Sequence, residues 1–97
     1  MVYRVIKVFP LIKREYTTRE GQQQVWLSKG FLLTDGRNSI YAEAQQATAD
    51  ALETLNYKGG EVVQGHLRNV AREYESNGVK RYSNEVIIDA LMIIGKA

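Results

Sequence analysis

Cysteine is absent from this chain, so thiolate metal sites, cysteine nucleophiles and disulfides are all excluded, and the absence fits a reducing compartment. Histidine occurs once, as His66, and a metal site needs several convergent ligands, so no metal is expected. Long apolar runs are missing as well, and none approaches the length of a membrane span. The stretch Met1 to Phe9 carries Arg4 and Lys7 inside its apolar run, which is the wrong pattern for a secretory signal. A cytoplasmic location with no membrane partner is therefore expected. No phosphate-cradling G-x-x-x-x-G-K-[ST] run is present, and Gly59 and Gly60 lead from a helix to a strand, which makes them a turn. Without repeats, low-complexity segments or linkers, residues 1–97 read as one domain, long enough for a modest core.

Excess charge is also scarce. The net charge is +2, a weak argument for nucleic acid on its own, but its distribution is uneven. Residues 1–30 carry six basic and two acidic side chains, residues 31–60 two and four, and residues 61–97 five of each. One part of the surface should be basic and another acidic.

The strongest local signal is Asn77-Gly78, set between a strand-like run from Glu61 to Glu75 and another from Lys80 to Ile94. The pattern predicts a long β-hairpin whose far ends, with Val62, Val63, Leu67, Val86, Ile87, Ile88, Leu91 and Ile93, form core, and whose turn end carries basic and tyrosine side chains. Val2 to Ile12 predicts a first strand apolar on both alternation sets, bent or bulged at its one proline, Pro10. Lys13 to Gly21 reads as a loop or frayed strand end. Gln22 to Leu33 predicts a second strand, with Trp26 on its polar face and a bulge or bend at Lys29 and Gly30, and Ser39 to Ala44 a short third. From Gln45 to Leu55 the period becomes helical, with Ala47, Ala51, Leu52 and Leu55 on one side.

Three strands, one short helix and two strands is the order of an OB-fold: an all-β, five-stranded Greek-key barrel with its helix between strands three and four and a long hairpin of strands four and five. Leu55 to Leu91 carries more than this order. Tyr57, Lys58, Gly59 and Gly60, then Val63, Gly65 and Leu67, then Arg72, Glu73, Tyr74 and Glu75, then Gly78 to Tyr82 and Glu85, Val86, Ile87 and Asp89 resemble the C-terminal half of bacterial single-stranded-DNA-binding proteins. The first 44 residues share only the layout, and Ser83 and Asn84 stand where that family often has threonine. Family members usually continue into an acidic, aromatic-tipped tail, whereas this sequence stops at Lys96 and Ala97. The resemblance thus implies a barrel and its binding face, not recruitment of partners through a tail.

A surface for single strands needs flat π-faces for bases and cations for phosphates. The candidate nucleic-acid-binding residues are Trp26, Lys29, Tyr41, His66, Arg68, Arg72, Tyr74, Lys80, Arg81 and Tyr82. Blander roles stand beside these: Tyr74 and Tyr82 as a cross-strand pair that stabilises the turn, Trp26 as core at a barrel end, His66 as a hydrogen-bonding groove residue. Glu85 and Asp89 share a strand parity, but nothing supplies the base, nucleophile or metal that paired-carboxylate chemistry needs, so no enzyme and no cofactor are expected.

Two functions follow. The first is a sequence-tolerant single-stranded-DNA-binding protein of replication, repair or recombination, with RNA as the other candidate ligand. The second is an OB-fold protein-interaction or assembly module that binds no nucleic acid. Under either, the doubly apolar first strand predicts a homodimer or homotetramer through Val2, Tyr3, Val5, Ile6 and Val8.

Overall fold

A computed structural model describes residues 1–96. Its elements are β1 (Val2–Val8), β2 (Ile12–Thr17), β3 (Gln23–Thr34), β4 (Ser39–Gln45), α1 (Gln46–Thr54), β5 (Val62–Ser76) and β6 (Val79–Gly95). Asn77 and Gly78 both hold positive φ, 53° and 77°, as a two-residue turn matched to strand twist requires. From Ser76 opposite Val79 the β5–β6 ladder runs back to Val62 opposite Gly95. The hairpin projects: the radius of gyration is 15.4 Å, against about 12.5 Å for a compact domain of this length.

β1 pairs with β5, β5 with β6, β4 with β3 and β3 with β1, all antiparallel, while β4 meets β6 in parallel through the single pair Glu43 and Ile87. These pairings form a closed circuit of five strands. The sixth, β2, replaces the expected loop at Lys13–Thr17: after Pro10 breaks the ladder, the chain resumes against the same partner, Ile12 opposite Ser28 through Thr17 opposite Gln23. β2 is paired on one side only and exposed throughout, which is why its sequence shows no apolar alternation.

Inside the circuit, Phe31, Leu33, Ile88, Val5 and Val63 are fully buried. Tyr57 sets its ring edge-on against Phe31, centroids 5.3 Å apart, and its hydroxyl donates to the Leu91 carbonyl at 3.2 Å. Helix α1 buries Ala49 and Leu52, not the expected Ala47, Ala51 and Leu55, which are exposed. Gln46, at φ 52°, turns β4 straight into the helix, and that abrupt entry sets which side of the helix meets the barrel.

The first strand is also corrected. Tyr3 and Val5 point into the core and cannot serve an interface with another chain. A bulge between Val5 and Lys7 leaves Ile6 as an extra residue, and beyond it the faces exchange: Val8 turns toward the core, while Lys7 and Phe9 fall on the outer face. The apolar side chains left outside on β1 are Val2 and Ile6.

Glu61 ties β1 to the hairpin. Its carboxylate accepts from the backbone amides of Lys58 and Gly59, both at 2.7 Å, which holds Gly59 and Gly60 in left-handed turns at φ 103° and 91°. That turn lets Gly60 donate to the Val5 carbonyl at 2.7 Å, while the Val5 amide donates to the Glu61 carbonyl at 2.8 Å. Burial works to raise the Glu61 pKa, but the amides of Lys58, Glu61 and Gly59, with Lys96 nearby, outweigh it and hold the carboxyl below its ordinary value. Because the folded value is the lower one, the stabilisation is complete above the unfolded group's pKa and is lost as pH falls through the folded value. Glu61→Ala should cost about 2 kcal/mol at neutral pH, and the loss should shrink under acid. Urea melts of both proteins at neutral and acid pH measure this; an equal difference at both would show that the charge is not what holds the turn.

Candidate nucleic-acid interface

On the face of β3 and β4 that turns away from the core, the rows are Ser28 opposite Gln45, Gly30 opposite Glu43 and Leu32 opposite Tyr41, with Trp26 continuing β3 beyond them. Arg14 of β2 lies directly across from Trp26. On the hairpin the corresponding rows are Val70 opposite Glu85, Arg72 opposite Ser83 and Tyr74 opposite Arg81. Where the two surfaces meet, over the narrow β4–β6 seam, an open groove of about 520 Å³ is lined by Trp26, Glu43, Gln45, Arg72, Ser83, Asn84 and Glu85.

A second aromatic cluster adjoins it. Tyr41 lies across Gly30 so closely that a Cβ there would stand 2.3 Å from its hydroxyl oxygen, and only glycine leaves the ring that seat. The ring meets Phe9 edge-on at 5.6 Å, and the Lys7 ammonium stands 5.1 Å from the Phe9 centroid. Burial first, and the Glu43 charge second, push the Tyr41 hydroxyl above its ordinary pKa, so it stays a neutral donor across the physiological range. Phe9 and Lys7 escaped the reading from sequence because strict alternation put Phe9 inside; the bulge at Ile6 is what moves it out.

Several expected residues move. Lys29 does not face a ligand: it is 5 % exposed, and its ammonium donates to the Phe9 carbonyl at 2.9 Å and to Glu53. Nor do Tyr74 and Tyr82 form a cross-strand pair, since Tyr82 stands opposite Glu73 and so lies on the other face of the hairpin, together with Lys80. The turn contains the signal for this: counting back from Ser76 and Val79 pairs Tyr74 with Arg81. Trp26, Tyr41, Arg72, Tyr74 and Arg81 do share the outer face, whereas His66 and Arg68 lie farther down β5, exposed.

Carboxylates accompany four of the five cations expected at the site, Lys29 with Glu53 among them. Arg68 pairs with Asp89 at 3.1 Å, Arg72 with Glu85, and Lys80 with Glu73 at 3.5 Å. Glu85 and Asp89 are thereby engaged by arginines. Among the described residues, Arg14 and Arg81 have no carboxylate partner. Exposed pairs of this kind contribute about 0 to 1 kcal/mol each, so a phosphate can replace the carboxylate at little cost.

The second OB-fold domain of replication protein A from Methanococcus maripaludis, solved by NMR in solution, superposes with a TM-score of 0.57 over 99% of this chain and 82% of that one, at 20% identity. The chain has an OB-fold. At that identity the likeness speaks for the fold alone. No family model matches the sequence, and no curated protein is similar enough to count as a relative. Among the described residues no helix is long and apolar enough to cross a membrane.

The seat at Gly30 can be tested directly. Gly30→Ala should leave the barrel folded but swing the Tyr41 ring off the sheet, costing about 1 kcal/mol for the broken aromatic pair. In NMR spectra the Phe9–Tyr41 cross-peaks should vanish; if they persist in the variant, the glycine is not what seats the ring.

Proposed function

We propose that this chain binds single-stranded DNA, largely without regard to sequence, as a protein of DNA replication, repair or recombination. The observation that carries this reading is the continuous outer surface on which Trp26, Tyr41 and Tyr74 alternate with Lys7, Arg14, Arg72 and Arg81 around one groove. Bases stack on the aromatic faces, and phosphates take the unpaired cations or displace the carboxylates of the weak surface pairs. An OB barrel carrying this surface, the resemblance of the C-terminal half, and a structural neighbour that is part of a replication protein all favour it. RNA offers the same bases and phosphates and is the second candidate ligand.

The test is a titration of fluorescein-labelled oligo-dT with the protein, followed by fluorescence anisotropy at several salt concentrations. Trp26→Ala and Tyr74→Ala should each weaken binding by about 1 to 3 kcal/mol at any salt. Arg14→Ala and Arg81→Ala should instead lower the slope of log affinity against log salt by roughly 0.7 for each phosphate that is no longer neutralised. Duplex DNA, whose bases are stacked on one another, should bind far more weakly. Equal affinity for duplex and single strand, or no binding at low salt, would leave the protein-interaction module as the better reading.

Self-association is part of the proposal. Val2 lies in one cross-strand row with Gln64 and Met92, and Met1, Val2, Met92 and Ile94 are all more than half exposed. Ile6 is exposed on β1 as well, so the ends of β1 and β6 carry several uncovered apolar side chains on either side of Gln64. Sedimentation should give a dimer or tetramer at micromolar concentration, and Val2→Asp or Met92→Asp should produce monomers. A monomeric wild type would refute this part and leave the binding surface untouched.

A further inference from the structure

The groove beside Trp26 has the wrong charge for a phosphate. It holds one cation, Arg72, against two carboxylates, Glu43 and Glu85, and Arg72 is already bonded to Glu85. Glu43 has no cation or donor for its side chain among the described residues, and it stands partly buried with Gln45 beside it on β4. A phosphodiester placed there would meet net negative charge at close range. A base is neutral, and the aromatic wall suits its face.

Which base fits depends on what its edge offers to a carboxylate, which only accepts hydrogen bonds. Thymine presents one N–H flanked by two carbonyl oxygens, which a carboxylate repels. Adenine and cytosine present one amino group beside a ring nitrogen acceptor. Guanine alone presents two adjacent donors, N1–H and the N2 amino group, which match the two oxygens of one carboxylate in a bidentate contact. Unpaired bases in a single strand leave that edge free to be read.

We propose that the groove between Trp26 and the Arg72–Glu85 pair is a base-reading subsite that prefers guanine, with the Glu43 carboxylate accepting from guanine's N1–H and N2 amino edge. This rests on the reading of the chain as a single-strand binder and adds to it a modest base preference on an otherwise tolerant surface. Phosphates then run outside the groove, where Arg14 and Arg81 stand without carboxylate partners.

The experiment titrates Trp26 fluorescence with an all-dT oligonucleotide and with the same oligonucleotide carrying one central dG, dA, dC or deoxyinosine. The dG oligonucleotide should bind roughly tenfold tighter than all-dT. Deoxyinosine, which lacks the N2 amino group, should lose most of that gain. Glu43→Gln should bring the dG and all-dT affinities together, because its amide offers one acceptor where the carboxylate offers two. Equal affinities across the wild-type series overturn the base preference while leaving single-strand binding in place; a preference that survives in Glu43→Gln overturns the role of that carboxylate. Absence of binding to every oligonucleotide, all-dT included, overturns the underlying reading as well. The deoxyinosine comparison uses only the wild-type chain, so it decides the matter even where the variant folds poorly.

Discussion

Lys29 holds the corner on which this barrel turns. Along one edge β3 serves two segments in turn, β2 through Gln23–Ser28 and β1 through Phe31–Thr34, while β4 takes its other edge. Between those two ladders, around Pro10, the regular exchange of backbone bonds is interrupted. The Phe9 amide still reaches the Gly30 carbonyl at 3.0 Å, but the Phe9 carbonyl has no place in the ladder, and the Lys29 ammonium binds it instead, with Glu53 of the helix supplying the counter-charge. A buried ammonium is tolerable only when its charge and its donors are met, and here both are. One side chain therefore binds the strand break, the bent strand and the helix. Its neighbour Gly30 then gives Tyr41 a flat seat on the opposite face.

That corner accounts for what was and was not legible in the sequence. The hairpin, its turn, the short helix and the order of elements could be read because each rests on a local rule: Asn77-Gly78, the two-residue period of a strand, the longer period of a helix. The bulge at Ile6 and the resumption of pairing after Pro10 could not, because they answer a demand of closure that no local pattern carries. Both alternation sets of Val2 to Ile12 are apolar, and this suggested two buried faces; in fact the faces exchange midway, with Tyr3 and Val5 inside before the bulge and Val8 inside after it. Val8, part of the apparent second face, was therefore core. Lys29 was misplaced for a related reason: charge in a strand usually marks its wet side, and only the missing ladder partner at Phe9 explains an exception.

The candidate site was legible in its residue types more than in its grouping. Tyrosines and arginines near the turn were evident, but register sorts them onto two faces, and only Arg72, Tyr74 and Arg81 share the side that Trp26 and Tyr41 occupy. The even balance of charge in residues 61–97 also becomes intelligible. Asp89, Glu85 and Glu73 stand beside Arg68, Arg72 and Lys80 on the surface, where pairs are weak enough to exchange with an incoming anion and strong enough to orient the cation beforehand. A net charge of +2 is thus no measure of what this face can hold.

The position of the groove carries a last physical consequence. β4 and β6 touch through one residue pair, Glu43 with Ile87, and this is the least bonded seam of the circuit. The groove lies over that seam, with Trp26 on one bank and Arg72 on the other. A ligand seated there spans two parts of the barrel that the protein's own ladder barely joins, so its contacts add to closure as well as to affinity. Whatever binds the closed form alone must, by mass action, stabilise it against unfolding in proportion to the logarithm of its concentration. The seam is weak in backbone pairing for the same reason that it is open to a ligand: the polar groups and surface that a longer β4–β6 ladder would have consumed remain free to bind something else.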